Sequence, residues 1–90
     1  MDMFIEKEIL IKNEAGLHAR PAALFVQIAN KYDSDISVRK GKRVVNGKSI
    51  MGIMMLAAAK GSRIFIRADG DDADTAVQEL ERLLLGETDK

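Results

Sequence analysis

Apolar and polar positions begin to alternate at Ile5. Ile5, Lys7, Ile9 and Ile11, with Glu6 and Glu8 between them and Lys12 after, give an imperfect period of two, which predicts a strand. Asn13-Glu14-Ala15-Gly16 breaks it. The period then changes: Ala22, Phe25, Val26 and Ala29 recur at helical spacing, predicting a first helix to about Tyr32. Pro21 fits only in its first turn, where the missing N–H is not needed. Ile36 and Val38 alternate with Ser37 and Arg39, Gly41 marks a hairpin turn, and Val44 to Gly47 returns as the next strand. Ser49 is a good N-cap for a short second helix through about Ala58, closed by Lys60-Gly61. Ile64 and Ile66 face one way in a fourth strand. After Asp69-Gly70-Asp71-Asp72 comes a last helix with the stripe Ala73, Ala76, Val77, Leu80, Leu83 and Leu84. Acidic residues at its start suit the helix dipole, and Gly86 is a natural stop.

The predicted order is β-α-β-β-α-β-α. Strands with one apolar face call for a four-stranded antiparallel sheet covered on one side by three helices, its other face wet. That is an α+β open-faced sandwich. A ferredoxin-like domain uses almost the same order of elements, so the pattern alone leaves two topologies open.

Ninety residues make one domain, 1–90. At 47% hydrophobic and 31% charged, the composition suits a soluble globule. With no Cys, neither a disulfide framework nor a thiolate metal site is on offer. No signal-peptide pattern opens the chain. Its longest apolar run, Ile53 to Ala59, is far short of the roughly 20 residues that cross a bilayer. The expectation is a cytoplasmic protein with no membrane insertion. Fourteen basic residues balance fourteen acidic ones, and the aromatics are only Phe4, Phe25, Phe65 and Tyr32, which argues against nucleic acid as a partner.

Candidate chemistry gathers at the one histidine. Gly16-Leu17-His18-Ala19-Arg20-Pro21-Ala22 puts His18 at the mouth of the first helix, whose opening N–H groups have no partner and attract an anion. Arg20 can offer its fork of donors to phosphate oxygens. The residue before a proline is pushed away from helical geometry, which leaves Arg20 either at the cap or within the helix. Nucleophile, charge clamp and free amides together read as a phosphoryl acceptor rather than a proton shuttle. Two other phosphate or metal patterns fail. Gly41 to Ser49 ends like a P-loop but has five residues between its glycines and two valines within it. The Asp69–Asp74 cluster misplaces the glycine of a calcium loop and has no closing Glu. No cofactor or metal is expected. Arg39, Lys40, Lys42 and Arg43 flank the hairpin turn and read as its solvated tip.

The stretch Gly16 to Ala22 resembles the active-site motif of the HPr family, and Lys48-Ser49-Ile50-Met51-Gly52-Ile53-Met54 resembles that family's second motif, at the family's spacing. The likeness runs through essentially the whole chain. It implies the HPr fold and phosphorylation of His18 at Nδ1 by enzyme I, which draws on phosphoenolpyruvate, followed by transfer to an enzyme II A domain for sugar uptake. Arg20 matches the arginine that attends the phosphohistidine. By the same resemblance Ala19, Ala23 and Leu24 contact partners, and Ser49 matches a serine that an HPr kinase phosphorylates in many Gram-positive bacteria. A carrier of this kind is consumed and regenerated stoichiometrically, so it is not an enzyme, and a monomer is expected.

Ile50, Met51 and Met54 share one face of the second helix, while Ile53 and Leu56 lie toward another. All could be core, but a short helix buried on every side is hard to arrange in so small a domain. An exposed methionine-rich patch would be a docking surface able to re-pack against several partners. Competing readings are a regulatory HPr paralogue that acts by binding a transcription regulator, a nitrogen-related branch of the same system, and a self-contained hydrolase. The last would need a base, an oxyanion site and a pocket, for which little in the chain speaks.

Overall fold

The computed structural model describes residues 4–86. Its elements follow the predicted order: β1 (Phe4–Leu10), α1 (Ala19–Asn30), β2 (Asp35–Lys40), β3 (Arg43–Asn46), α2 (Ile50–Met55), β4 (Arg63–Asp69) and α3 (Ala73–Leu84). The four strands form one antiparallel sheet in the order β1-β4-β2-β3. The last strand therefore runs between the first two, and β3 is the far edge. Three helices cover one face, which makes the molecule the open-faced α+β sandwich expected.

Register decides which side chains meet the helices. Ile9 stands opposite Ile64 and Ile5 opposite Ala68 on the β1–β4 seam; Val38 stands opposite Ile66 and Ile36 opposite Ala68 on the β4–β2 seam. These residues and Val45 form the apolar floor onto which Phe25, Ala22 and Ala29 of α1 and Val77, Leu80, Leu83 and Leu84 of α3 pack. Removing each such Leu from water contributes about 1.5–3 kcal/mol. Lys7 interrupts the apolar series of β1 because it lies at the rim, where its Nζ meets Glu81 Oε1 on α3 at 2.7 Å. On the open face, the Arg39 guanidinium lies 4.2 Å from the Phe65 ring centroid and that of Arg67 lies 4.0 Å from that of Phe4, so those aromatics are sheltered without a third layer.

Four details correct or sharpen the sequence reading. The first helix starts at Ala19, three residues before its apolar series begins at Ala22. Pro21 lies in its first turn as expected, and of the two places left open for Arg20 the structure takes the one within the helix. The second stops at Met55 rather than near Ala58, because Ala57 turns into the left-handed region at φ 54° and the chain leaves to serve another contact. The basic hairpin is not simply solvated. Lys40 shares the helix-covered face with Ile36 and Val38, and its Nζ donates to Ala57 O at 3.0 Å; Arg43 Nη1 donates to Met55 O at 2.8 Å. The two cations thus satisfy carbonyls at the C-terminal end of α2, where helix polarity favours positive charge. Finally, Asp72, read in the sequence only as one of the acidic residues that suit the helix dipole, makes no capping bond to α3 with its side chain. Its carboxylate instead accepts from the backbone N–H groups of Asp33 and Ser34 and from the Ser34 hydroxyl, pinning the loop between α1 and β2.

Candidate functional site

The loop from Asn13 to His18 is held by backbone rather than by the side chains of its reactive residues. Asn13 is buried; its backbone N–H donates to Leu84 O at the end of α3, and its Nδ2 donates to Gly16 O at 2.9 Å. Gly16 adopts φ 65°, and a Cβ there would lie 2.6 Å from Ala58 O and 2.8 Å from Ala59 Cα. Only glycine lets the two segments come so close. The Leu17 N–H then donates to Ala58 O at 2.8 Å, and the Leu17 side chain is buried. This is the contact for which the chain leaves α2 early. The Ala57-Ala58-Ala59 run, from which nothing could be drawn in the sequence, is the anvil of the loop. Beside it Lys60 pairs with Glu14 at 2.6 Å and, by that hydrogen bond, holds the Glu14 carboxyl below the usual carboxylate range.

His18 is the N-cap residue of α1, in extended conformation at φ −127° and ψ 156°, and its side chain makes no capping bond. The imidazole is exposed and is not spent on holding the helix. Ala19 follows with φ 51°. A left-handed alanine costs about 1–2 kcal/mol, and here the buried neighbours Leu17, Pro21 and Ala22 fix it from both sides. Arg20, two residues past the histidine, is exposed, and none of the ion pairs among the described residues involves it. The structure thus puts a free imidazole and a free guanidinium on one helix start.

The other sequence-derived candidates lie on α1 and α2, which pack against each other. Ala19 is exposed, whereas Ala23 and Leu24 are half-buried, Leu24 against the core. Ser49 caps α2, its Oγ accepting from Gly52 N at 3.1 Å. Ile53 and Leu56 are buried, while Ile50, Met51 and Met54 are 39%, 67% and 45% exposed. Met55, not singled out in the sequence, extends that apolar patch at 60% exposure. What the sequence reading missed is Asn13, the Ala57–Ala59 segment and the two left-handed alanines. Alanine carries no mark of a left-handed conformation, so only the Gly16 position offered a signal.

Comparison with known proteins identifies what carries such a site. A family model described as the PTS HPr component phosphorylation site matches residues 5–85. The chain belongs to that family, the HPr phosphocarrier proteins of the phosphotransferase system. It is 46% identical over 79 residues to the phosphocarrier protein HPr of Xylella fastidiosa (strain 9a5c), covering 88% of this chain and 89% of that one. It is 47% identical over 76 residues to the HPr-like protein Crh of Halalkalibacterium halodurans, covering 84% and 90%. A crystal structure of HPr from Thermoanaerobacter tengcongensis superposes with a TM-score of 0.90 at 48% identity, over 96% of this chain and 97% of that one. HPr from the same organism has also been solved as a dimer.

Proposed function

We propose that this chain is a phosphocarrier whose His18 takes a phosphoryl group from phospho-enzyme I and hands it to an enzyme II A domain, for sugar uptake in the cytoplasm. The observation that carries the reading is the free, exposed imidazole of His18 at the start of α1 with the unpaired, exposed Arg20 two residues on. In the first transfer a bond forms between His18 Nδ1 and phosphorus as the donor's bond to phosphorus breaks; in the second the Nδ1–phosphorus bond breaks as the acceptor's bond to phosphorus forms. The Arg20 guanidinium attends the charge that spreads over the phosphoryl oxygens in the transition state. The chain is regenerated in every cycle and acts stoichiometrically, as a monomer and without cofactor, rather than as an enzyme.

Partners dock over Ala19, Ala23 and Leu24 of α1 and Ile50, Met51 and Met54 of α2. Phosphate on Ser49 acts there as a brake. It brings about −1.5 to −2 charges to the edge of the patch, where it keeps the apolar contact wet and repels acidic groups on the partner. The likeness to Crh supports a second reading, in which an HPr kinase modifies Ser49 and the chain binds a transcription regulator. The presence of His18 favours the carrier.

The test is a two-step transfer followed by intact mass. With enzyme I and phosphoenolpyruvate the chain gains one acid-labile phosphate, and an added enzyme II A domain removes it. A chain that gains none, or that keeps its phosphate when offered an enzyme II A domain, is not a carrier. Authentic phosphoserine at Ser49 slows the first step and Ser49→Asp does so weakly; both reacting as fast as the unmodified chain would leave Ser49 as a helix cap alone.

A further inference from the structure

Three of the chain's five methionines, Met51, Met54 and Met55, stand in the six residues of α2, and the chain has no cysteine. All three are exposed, Met51 and Met55 the most, on the outer face of a helix whose inner face is fixed by buried Ile53 and Leu56. A methionine in a core is shielded from oxidants and has a packing task; these have neither shield nor packing task. Thioethers are also the softest nucleophiles this sequence holds, so a peroxide that finds no thiol reacts with them.

We propose that Met51, Met54 and Met55 form a reversible oxidation site, and that their conversion to sulfoxides switches off partner docking while leaving the fold and His18 intact. The reaction is a two-electron oxygen transfer. The thioether sulfur attacks one peroxide oxygen, the O–O bond breaks, a sulfoxide forms and water leaves. A methionine sulfoxide reductase returns the thioether, a dithiol supplying the two electrons and becoming a disulfide while the oxygen leaves as water. Each event replaces an apolar, pliable tip with a strong dipole that must be stripped of water before an apolar partner surface can close on it. The fold is spared because none of the three belongs to the buried core, and the hydrogen bonds that end α2, from Lys40 to Ala57 O and from Arg43 to Met55 O, go to backbone. The inference rests on the docking reading given under Proposed function.

Its test treats the folded chain with dilute hydrogen peroxide and follows three things. Tandem mass spectrometry of the tryptic peptide Ser49–Lys60, which holds all three methionines apart from Met1 and Met3, should show Met51 and Met55 oxidised before Met54. Circular dichroism should be unchanged. The KM for phosphoryl transfer from enzyme I should rise by about tenfold or more, and methionine sulfoxide reductase should restore it. The Met51→Leu/Met54→Leu/Met55→Leu variant, whatever its starting rate, should lose none of that rate to peroxide. Met51→Asp separates the two ideas. If it slows transfer but the sulfoxides do not, docking stands and the oxidation switch is overturned. If neither slows transfer, the docking reading itself falls and takes the switch with it. Loss of rate in the triple variant on peroxide treatment would also overturn the switch, since the damage would lie elsewhere.

Discussion

The two ends of the helical layer are held by different means. Where α1 ends and α3 begins, side chains do the fastening: Asp72 gathers two N–H groups and the Ser34 hydroxyl, Glu79 takes the Tyr32 hydroxyl and the Lys31 ammonium, and Lys48 Nζ reaches Tyr32 O at 2.7 Å. Where α1 begins, backbone pairs carry the closure: Leu17 N to Ala58 O, Asn13 N to Leu84 O and Gly61 N to Ile11 O. The side chains that help, Asn13, Lys40 and the Lys60–Glu14 pair, do not include His18 or Arg20. Two alanines there sit in the left-handed region. The difference leaves His18 and Arg20 with no structural duty. On the proposed reading His18 receives and releases a group many times, and such a side chain is best positioned by a framework that does not include it.

Glycine replacements break the ends separately and should give the largest effects. Gly16→Ala drives a Cβ into Ala58 O, and Gly70→Ala drives one to within 2.8 Å of Ser34 Cα, both at positive φ. Each should lose about 2–4 kcal/mol in denaturant unfolding. Only Gly16→Ala should also slow phosphoryl transfer per folded molecule, because only it shifts the loop that carries His18. Equal transfer rates in the two variants would remove the distinction between the ends.

Arg20→Ala sharpens the comparison in the other direction. It should slow transfer by about tenfold, as loss of a solvent-exposed clamp on phosphoryl charge does. It should change stability by less than about 0.5 kcal/mol, since among the described residues the exposed guanidinium makes no ion pair. The check is single-turnover transfer beside urea unfolding of the same preparation.

Tyr32→Phe should give the smallest effect, a loss of about 1 kcal/mol for one charge-assisted hydrogen bond at a partly exposed site, with transfer unaltered. Its signature is in pH. The hydrogen bond to Glu79 pushes the Tyr32 hydroxyl from 10.0 up to about 12. An unfolded chain therefore releases this proton first, so the bond's stabilisation is whole below pH 10 and fades as pH rises toward 12. The phenylalanine variant should lack that fall in thermal scans. On the acid side the sign reverses. Hydrogen bonds from Lys31 and Tyr32 hold the Glu79 carboxyl low, and those from the Ser34 hydroxyl and the Asp33 N–H hold the Asp72 carboxyl low. Their contribution is present above the ordinary carboxylate range and is lost as pH falls through the depressed values.

Much of this could be read from residues because the relevant forces are local. The stripe of α3, the cap at Ser49 and the turn at Gly41 each follow from a few adjacent side chains. The order β1-β4-β2-β3 is different: it depends on pairing between Ile9 and Ile64, far apart in sequence, and the run of elements suits a ferredoxin-like sheet almost as well. The stretch Gly16–Ala22 could be singled out because glycine, histidine, arginine and proline are each chemically distinctive. Its support could not. Ala57, Ala58 and Lys40 act through their backbone or upon it, and a carbonyl's partner leaves no mark in the sequence. The lysine and arginine that cap α2 look, in one dimension, like any basic turn.

The most direct test of the account is to find the phosphorus. The chain, uniformly labelled with 15N, is treated with enzyme I and phosphoenolpyruvate and examined by 31P and 15N NMR. The prediction is a single phosphoramidate resonance coupled to Nδ1 of His18, with the Arg20 and Met51 signals shifting and those of Tyr32 and Ser34 unmoved. Phosphorus on any other atom, or equal labelling of a His18→Ala chain, would contradict it.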